Sequence, residues 1–211
     1  MTNRYAIDTT DDLSNSVAKL KANDIVAVGR YLSLSDWKRI QRNEAVALTQ
    51  NGIQIFTVYQ DAQNAPGDFS AAYGTQNGTT ALQQAQAIGQ PAGSAIYFAV
   101  DYDASQNDYD TRIKPYFEAV RTALAGRYKP GVYGSGLICQ NLLNDRLVDY
   151  CWLSESSGYR DHQTFLDSGN WNLSQEPATN AYDKDLINPQ KPDFGGFRHL
   201  DTPSQQNQAA E

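Results

Sequence analysis

The sequence has 211 residues, with 17 Lys and Arg residues against 24 Asp and Glu residues, and a formal net charge of −7. A chain of this length suits one sizeable domain, and its negative charge argues against a nucleic-acid or anionic-membrane partner, because phosphate groups repel an acidic surface. We expect one domain over residues 1–201, a disordered tail over residues 202–211, and a monomer.

Eight strand-like segments follow one another along the chain. Each is a run of apolar or β-branched residues bounded by turn residues. In chain order they lie at residues 4–8, 25–32, 53–59, 95–101, 131–134, 150–154, 170–175 and, more weakly, 182–187.

Helical patterns separate these strands. They cover residues 13–20, 35–50, 79–88 and 109–124, while residues 62–78, rich in Gly, Asn and Ala, are predicted to form a long loop. Alternating strands and helices indicate parallel strands joined by crossovers, and a count near eight favours a closed barrel. The predicted fold is therefore a single α/β domain, a (β/α)8 TIM-like barrel. A doubly wound sheet is the alternative, but no glycine-rich nucleotide-binding motif follows any strand.

The candidate site lies at the carboxyl ends of the predicted strands, which form the functional face of such barrels. Acidic, amide and aromatic side chains gather there. The candidate catalytic residues are Asp8, Asp101 and Asp103, and the candidate substrate-binding residues are Arg30, Tyr31, Tyr59, Gln60, Tyr133, Trp152, Gln175 and Asp185. Asp183 is an alternative to Asp185 for the place on the last strand.

Carboxylates flanked by aromatic rings around one cleft are typical of glycoside hydrolysis. One carboxyl group protonates the leaving oxygen, a second supports the positive charge at the anomeric carbon, and aromatic faces stack on sugar rings. Crowding of the acids raises the pKa of at least one of them, which keeps a proton available near neutral pH.

Structural roles remain open for several of these residues. Asp103 could cap the loop after its strand, and Asp8 could cap the first helix, although Thr10 could do so instead. Arg30 could be a counter-ion that lets the carboxylates coexist, and the aromatic residues could fill the core.

Metal and cofactor chemistry has no support in the sequence. The two histidines, His162 and His199, lack metal-binding spacing, and no serine-hydrolase motif is present. Cys139 and Cys151 are expected to be buried thiols, with a disulfide between them as the alternative. We therefore expect no metal and no cofactor.

The sequence also resembles a known family, on stretches that occur in this order: YAID, VGRYLS, NEAVALTQNGIQIFTVYQ, AIYFAVDYDAS, GVYGSGLICQNL, YCWLSES and NWNLSQ. Over residues 4 to 200 it is similar to the bacterial glycoside-hydrolase-like barrels catalogued as domain of unknown function 1906. IYFAVDYD, followed by GVYGSG, is the most specific part. That family is similar in turn to the family 25 lysozymes, barrels that cleave peptidoglycan between N-acetylmuramic acid and N-acetylglucosamine.

The resemblance implies roles for three carboxylates. In those lysozymes an Asp ends the first strand, and an Asp-x-Glu pair ends a middle strand with the Glu as proton donor. Asp8 matches the first, and Asp101 with Asp103 matches the pair. Asp103 is one methylene shorter than Glu, which draws its carboxyl group back by roughly 1.3 Å, and a displacement of that size can cost about a hundredfold in rate.

Two functional hypotheses follow. The first is a glycoside hydrolase acting on a cell-wall glycan, peptidoglycan, with Asp103 as general acid and with Asp101 and Asp8 as stabilising groups. The second is a glycan-binding barrel that keeps the cleft without hydrolysis, for which the shortened acid is the main argument. Either would act at the cell envelope or outside the cell. MTNRYAID shows no signal peptide and no segment approaches a membrane span, so the sequence leaves the export route open.

Overall fold

The computed structural model describes residues 3–177 and 182–202. Eight strands form a closed barrel in the order of the sequence. They are β1 Arg4–Asp8, β2 Ile25–Leu32, β3 Gln54–Tyr59, β4 Ala95–Ala99, β5 Lys129–Gly134, β6 Tyr150–Leu153, β7 Leu173–Glu176 and β8 Asp183–Ile187. Every predicted strand is present, with bounds that differ from the predicted ones by a few residues.

The last strand departs from the expected (β/α)8 repeat. Strands β1 to β7 pair in parallel, but β8 runs antiparallel to both β7 and β1. Only residues 177–182 separate β7 from β8. A parallel connection needs a crossover of about a dozen residues or more, so this short link can only return the chain in the opposite direction. The fold is therefore a mixed α/β barrel of TIM-like shape, in which the strict repeat does not extend to β8.

The α-helices of the described residues lie between the parallel strands, and a 3-10 turn over Pro66–Asp68 precedes the third of them. They are α1 Val17–Ala22, α2 Arg42–Gln50, α3 Ala71–Ile88, α4 Gln106–Asp108, α5 Lys114–Ala123, α6 Gly136–Asn144 and α7 His162–Ser168, and a π-helical turn over Tyr109–Ile113 joins α4 to α5. Helix α2 is shorter than predicted, since residues 35–41 form a loop. The carboxylate of Asp61 fixes that loop by accepting hydrogen bonds from the Ser33 hydroxyl and, at 2.7 Å, from the Leu34 N–H.

Helix α3 corrects the prediction of a long loop over residues 62–78. It begins at Ala71, where the Ser70 hydroxyl caps it by accepting a hydrogen bond from the Tyr73 N–H. The residues that suggested a loop permit close helix packing instead. A Cβ atom at Gly74 would lie 2.2 Å from the backbone oxygen of Tyr116 on α5, and one at Gly78 would lie 2.8 Å from the Cβ of Ala123. Small residues are therefore required on this face of α3.

Two apolar clusters form the core. One fills the barrel interior, with Phe56, Tyr97 and Trp152 in edge-to-face contact, and the other lies between the barrel wall and the helices. The segment after β8 closes the amino-terminal end of the barrel, because Phe194 packs on Phe56 and its carbonyl accepts a 2.8 Å hydrogen bond from the Tyr97 hydroxyl. The other end of the barrel is the open mouth.

Two further predictions concern the cysteines and the carboxyl-terminal tail. Cys139 and Cys151 are buried free thiols, so the alternative of a disulfide is not realised. The predicted tail lies outside the described residues, apart from Thr202.

Candidate active site

A cavity of about 230 Å³ opens at the carboxyl ends of the strands, in the mouth of the barrel. Four of the side chains that line this cleft are acidic, namely Asp8, Asp101, Glu155 and Asp183. Five further lining residues were expected from the sequence, namely Tyr31, Gln60, Tyr133, Trp152 and Gln175.

Strand alternation determines which side chains reach the cleft. Successive side chains on a strand point to opposite faces, so residues two apart share a face. Ala6 belongs to the interior core, and Asp8 therefore faces inward one step nearer the mouth. The same step leads from Val58 to Gln60 on the chain that leaves β3.

Asp8 is a buried carboxyl group at the base of the cleft, with 3% of its surface exposed. The Gln175 side-chain amide donates a 2.9 Å hydrogen bond to Oδ2, and the Tyr31 hydroxyl donates a weaker one, at 3.5 Å, to Oδ1. Burial, with smaller contributions from the negative charges of Asp183 and Glu155, raises the pKa of Asp8 to about 7, although the hydrogen bonds from Gln175 and Tyr31 lower it. A carboxyl group with this pKa holds a proton in a large fraction of molecules near neutral pH.

Asp185 lies deeper than Asp8 on the inward face of β8 and is fully buried. Its Oδ1 accepts a 2.8 Å hydrogen bond from the Trp152 indole N–H, while Oδ2 has no hydrogen-bond partner among the described residues. Burial, and next the charge of Asp8, raises the pKa of Asp185 well above its usual range. Burial therefore favours the neutral form of Asp185 beneath the cleft, and its Oδ1 orients the Trp152 ring that forms the floor.

Asp101 is the partly exposed carboxylate of the cleft. The Gln60 side-chain amide donates a 3.1 Å hydrogen bond to its Oδ2. Its backbone N–H donates a 2.9 Å hydrogen bond to the Gln63 carbonyl. These contacts fix both the backbone and the carboxylate of Asp101 at the mouth, where a substrate can reach it.

Two tyrosines flank Asp8 and Asp101. The Tyr133 hydroxyl donates a 2.8 Å hydrogen bond to Gln175 Oε1, which orients the amide that binds Asp8. Burial, together with the charges of Asp8 and Asp101, raises the pKa of both Tyr31 and Tyr133. Both phenols therefore remain protonated hydrogen-bond donors.

Asp103 does not line the cleft. Its carboxylate binds Arg160, whose Nη1 lies 2.6 Å from Oδ2, and whose backbone N–H donates a 2.8 Å hydrogen bond to Oδ1. Arg160 belongs to the loop between β6 and α7. The structure thus separates Asp103 from the two carboxylates with which it was grouped.

Arg30 and Tyr59 also lie outside the barrel lumen. Arg30 is buried between the wall and α2 and forms two hydrogen bonds with the Glu44 carboxylate, at 2.6 and 3.0 Å. Tyr59 donates a 2.5 Å hydrogen bond to Asp61 and belongs to the outer core cluster. Arg30 is therefore the counter-ion of Glu44 rather than of the cleft carboxylates. Arg30 and Tyr59 both occupy strand positions whose side chains point away from the barrel lumen.

Four of the described lining residues were not among the predicted site residues. Val58 lies on β3, Glu155 and Ser156 lie in the loop after β6, and Asp183 begins β8 opposite Asp8. Asp101 was identified because it follows the carboxyl end of a strand. Glu155 also follows the carboxyl end of a strand, so the same criterion could have identified it. Asp183 was the alternative to Asp185, and the structure places both acids near Asp8, one in the cleft and one beneath it.

The described ranges, 3–177 and 182–202, hold neither a metal-ligand cluster nor a membrane-spanning helix. Within them, no group of three or more His, Cys, Asp or Glu side chains is arranged to hold a metal ion. Among the helices of these ranges, none combines the length and apolar character that crossing a membrane requires.

Comparison with known proteins shows the relationship of the chain. The model of the Rv2525c-like, glycoside hydrolase-like domain matches residues 18–207. YbfG of Bacillus subtilis, an uncharacterized protein, is 29% identical over 187 residues, which are 81% of this chain and 26% of YbfG. Rv2525c of Mycobacterium tuberculosis, named as a candidate peptidoglycan hydrolase, is 30% identical over 117 residues, which are 54% of this chain and 48% of that protein. The chain thus spans a quarter to a half of these curated relatives.

Solved structures share the fold. The crystal structure of the Tat-secreted protein Rv2525c in complex with HEPES superposes with a TM-score of 0.77, and the two sequences are 25% identical. The aligned region covers 92% of this chain and 98% of that one. A family GH25 lysozyme from Aspergillus fumigatus is 11% identical, with a TM-score of 0.52 over 89% of this chain and 94% of that one. The likeness to the lysozyme concerns the fold alone.

Proposed function

Because the chain belongs to the Rv2525c-like, glycoside hydrolase-like family, we propose that it hydrolyses a glycan of the bacterial cell wall, peptidoglycan, by carboxylate acid and base catalysis. The name of the relative Rv2525c supports this substrate class. One observation carries the proposal. Asp8 is a buried carboxyl group with a pKa of about 7, and it shares a solvent-open cleft with Asp101.

The proton donor in this proposal is Asp8. Glycoside hydrolysis requires an acid that is protonated at working pH and can transfer its proton to the leaving oxygen. The pKa of Asp8 meets the first requirement. Its Oδ2 accepts the stronger hydrogen bond, from Gln175, which leaves Oδ1, with only the 3.5 Å contact to Tyr31, to carry the proton. We assign this role to Asp8 rather than to Asp103, because Arg160 occupies the carboxylate of Asp103.

The second carboxylate is Asp101. Positive charge develops at the anomeric carbon in the transition state, and a carboxylate at the mouth stabilises it or activates the attacking water. The hydrogen bond from Gln60 holds Asp101 in one orientation for this purpose. Glu155 and Asp183 add negative charge to the same cleft.

Aromatic and amide side chains provide the sugar subsite. Tyr31 and Tyr133 present hydroxyl donors, and Trp152 forms the apolar floor. The cavity of about 230 Å³ is smaller than the roughly 300 Å³ at which pockets for drug-sized ligands begin. We expect one sugar ring to enter it, while the rest of the glycan lies along the rim.

Glycan binding without hydrolysis is a second candidate function. Its support is the ion pair of Asp103 with Arg160, since the resemblance to the family 25 lysozymes matches Asp103 to their proton donor. In this alternative the cleft retains its tyrosines and carboxylates, and no proton transfer follows binding.

Release of muropeptides from purified peptidoglycan distinguishes the two functions. Wild type, Asp101→Asn and the control Asp149→Asn are compared, because Asp149 is exposed and lies outside the cleft. Hydrolysis predicts release by the wild type and by the control, and release at least about 10²-fold lower by Asp101→Asn. No release by the wild type, with retention on cell walls in a pull-down, would support binding alone and contradict the enzyme.

A further inference from the structure

A second concave surface lies at the opposite end of the barrel from the cleft. It is a groove of about 1020 Å³ around the amino-terminal ends of β1 and β2 and the turn before β3. Arg4 begins β1 at this groove, whereas Asp8 ends β1 at the cleft. Four residues at about 3.3 Å each separate Arg4 from Asp8 by roughly 13 Å along the strand. Lys184 follows Asp183 of the cleft, but successive side chains point to opposite faces of a strand, and the Lys184 ammonium group lies over the ring of Tyr5 in the groove. The groove therefore has no part in the chemistry of the mouth.

The groove is basic in a chain whose net charge is −7. Among its lining residues one is acidic, Asp24. The basic residues that line it are Arg4, Lys21, Lys184 and Arg198. These side chains come from four separate parts of the chain, namely β1, α1, β8 and the segment that closes the barrel. The fold thus brings dispersed cations to one place.

Three of these cations have no acidic partner among the residues that the structure describes. Within the described ranges, Arg4, Lys21 and Arg198 form no ion pair, whereas Lys184 lies 3.8 Å from Glu176. With other described side chains, Lys21 and Arg198 make long hydrogen bonds to neutral groups, at 3.5 Å to Asn51 and 3.4 Å to Gln54. Unpaired cations that share a groove repel one another, and a bound polyanion would relieve that repulsion.

The same end of the protein has a contrasting depression of about 400 Å³. Its lining places Lys129 and Lys191 with Asp149 and Asp193, so that positive and negative side chains are balanced. The groove thus carries an excess of positive charge that this neighbouring depression lacks. This depression supplies matched lysines for a control variant.

Neutral hydrogen-bonding groups accompany the cations of the groove. Three asparagines line it, Asn3, Asn23 and Asn51, and the ring of Tyr5 lies beneath the ammonium group of Lys184 at 3.5 Å. Amide side chains bind hydroxyl groups, and guanidinium and ammonium groups bind phosphates. A polymer that alternates phosphate groups with hydroxyl-bearing carbons offers partners both for the cations and for the asparagines of the groove.

We propose that the groove binds a phosphodiester-linked polyol chain of the cell wall, independently of the glycan cleft. The choice of a wall polymer rests on the proposed function, which places the chain at the cell wall. With glycan in the cleft and polyanion in the groove, one molecule would contact two wall polymers at once. Binding at two sites raises the overall affinity beyond that of either site.

Fluorescence anisotropy with a labelled poly(glycerol phosphate) oligomer tests this site directly. The groove variant is Arg4→Gln/Lys21→Gln/Arg198→Gln, and the control is Lys129→Gln/Lys191→Gln. We expect the wild type and the control to bind with a strong salt dependence. The groove variant should bind about tenfold or more weakly, with a log–log salt slope reduced by about 2, since each lost phosphate contact removes about 0.7. If the triple variant unfolds at a lower temperature, Lys21→Gln/Arg198→Gln, in which both side chains are exposed, provides the test.

Two results would overturn the proposal. One is equal binding by the wild type and the groove variants. The other is equal or tighter binding of a deoxyribo-oligonucleotide with the same number of phosphates, which would mean that the groove responds to charge alone. Neither result depends on hydrolysis in the cleft. Oligomer binding without muropeptide release would contradict the proposed function alone, and release without oligomer binding would contradict this site alone.

Discussion

Arg160 holds Asp103 through three hydrogen bonds that join two loops of the barrel mouth. Its Nη1 donates to Asp103 Oδ2 at 2.6 Å and to the Asp103 carbonyl at 2.7 Å, and its backbone N–H donates to Oδ1 at 2.8 Å. The Arg160 carbonyl also accepts a 3.0 Å hydrogen bond from the Leu137 N–H at the start of α6. The loop fixed in this way carries Glu155 and Ser156 into the cleft. In the proposed mechanism Asp103 is therefore a positioning residue of the rim.

We expect Asp103→Ala to reduce muropeptide release by no more than about tenfold, mainly through KM, because it loosens the loop without removing an acid. Arg160→Ala should have the same effect, and the double variant should be no worse than either single variant. The stability cost should stay within about 1 kcal/mol, since both side chains are more than a third exposed. Loss of all release in Asp103→Asn, with glycan binding intact, would instead identify Asp103 as the acid.

Asp8→Asn should be less active than the wild type, and its stability relative to the wild type should increase as pH rises. Below pH 3.8 the carboxyl group is protonated in both the folded and the unfolded chain. Between 3.8 and about 7 the unfolded chain releases the proton while the folded chain keeps it, so rising pH favours unfolding of the wild type. Asn does not titrate. The free energy of unfolding is measured with urea. We expect the value for Asp8→Asn, relative to that of the wild type, to increase by roughly 2 kcal/mol from pH 5 to pH 8. A difference independent of pH would contradict the raised pKa.

Glu44→Ala should destabilise the protein without affecting the chemistry. It leaves the Arg30 guanidinium buried without its partner and removes the acceptor of the Leu13 N–H, at a cost of about 3–5 kcal/mol. The exposed pair of Arg39 and Asp36 supplies the control, because Asp36→Ala should leave the melting temperature unchanged within error. Activity per folded molecule should match the wild type in both variants. A loss of turnover in folded Glu44→Ala would return Arg30 to the site.

Gly74→Ala tests the close approach of α3 and α5. The added methyl group would meet the backbone oxygen of Tyr116 at 2.2 Å, so the helices must separate, at about 1–3 kcal/mol. Each 1 kcal/mol lowers the melting temperature of a chain of this size by about 2–4 °C. Gly67→Ala is the control, since nothing lies within 4 Å of its added Cβ. Equal melting temperatures in the two variants would show that this helix face is not tightly packed.

Local sequence patterns predicted the strands well. Each strand is encoded by its own apolar run, so all eight were found, and the closed barrel and the resemblance to glycoside-hydrolase-like barrels are confirmed. The start of α3 was missed because Gly74 and Gly78 weaken a helix by intrinsic propensity, and only the partner helix explains them. The antiparallel β8 could have been anticipated, because the short link after β7 excludes a crossover.

Side-chain placement at the mouth was less predictable. The prediction grouped all residues at the strand ends, although alternate side chains on a strand point to opposite faces. Tyr31 and Gln60 point into the barrel, whereas Arg30 and Tyr59 point out of it. The Asp103 contact joins residues 57 positions apart, and no local pattern encodes such a pair. The burial that raises the pKa of Asp8 likewise depends on the whole barrel.

The pH dependence of reducing-end release from purified peptidoglycan, for the wild type and Asp8→Asn, tests hydrolysis at Asp8 most directly. We expect wild-type kcat/KM to fall as pH rises through about 7, where Asp8 loses its proton. Release by Asp8→Asn should be at least about 10²-fold lower below pH 7, and the difference from the wild type should shrink as pH rises above 7. Undiminished release by Asp8→Asn, or a wild-type profile with no decline near pH 7, would contradict Asp8 as the proton donor.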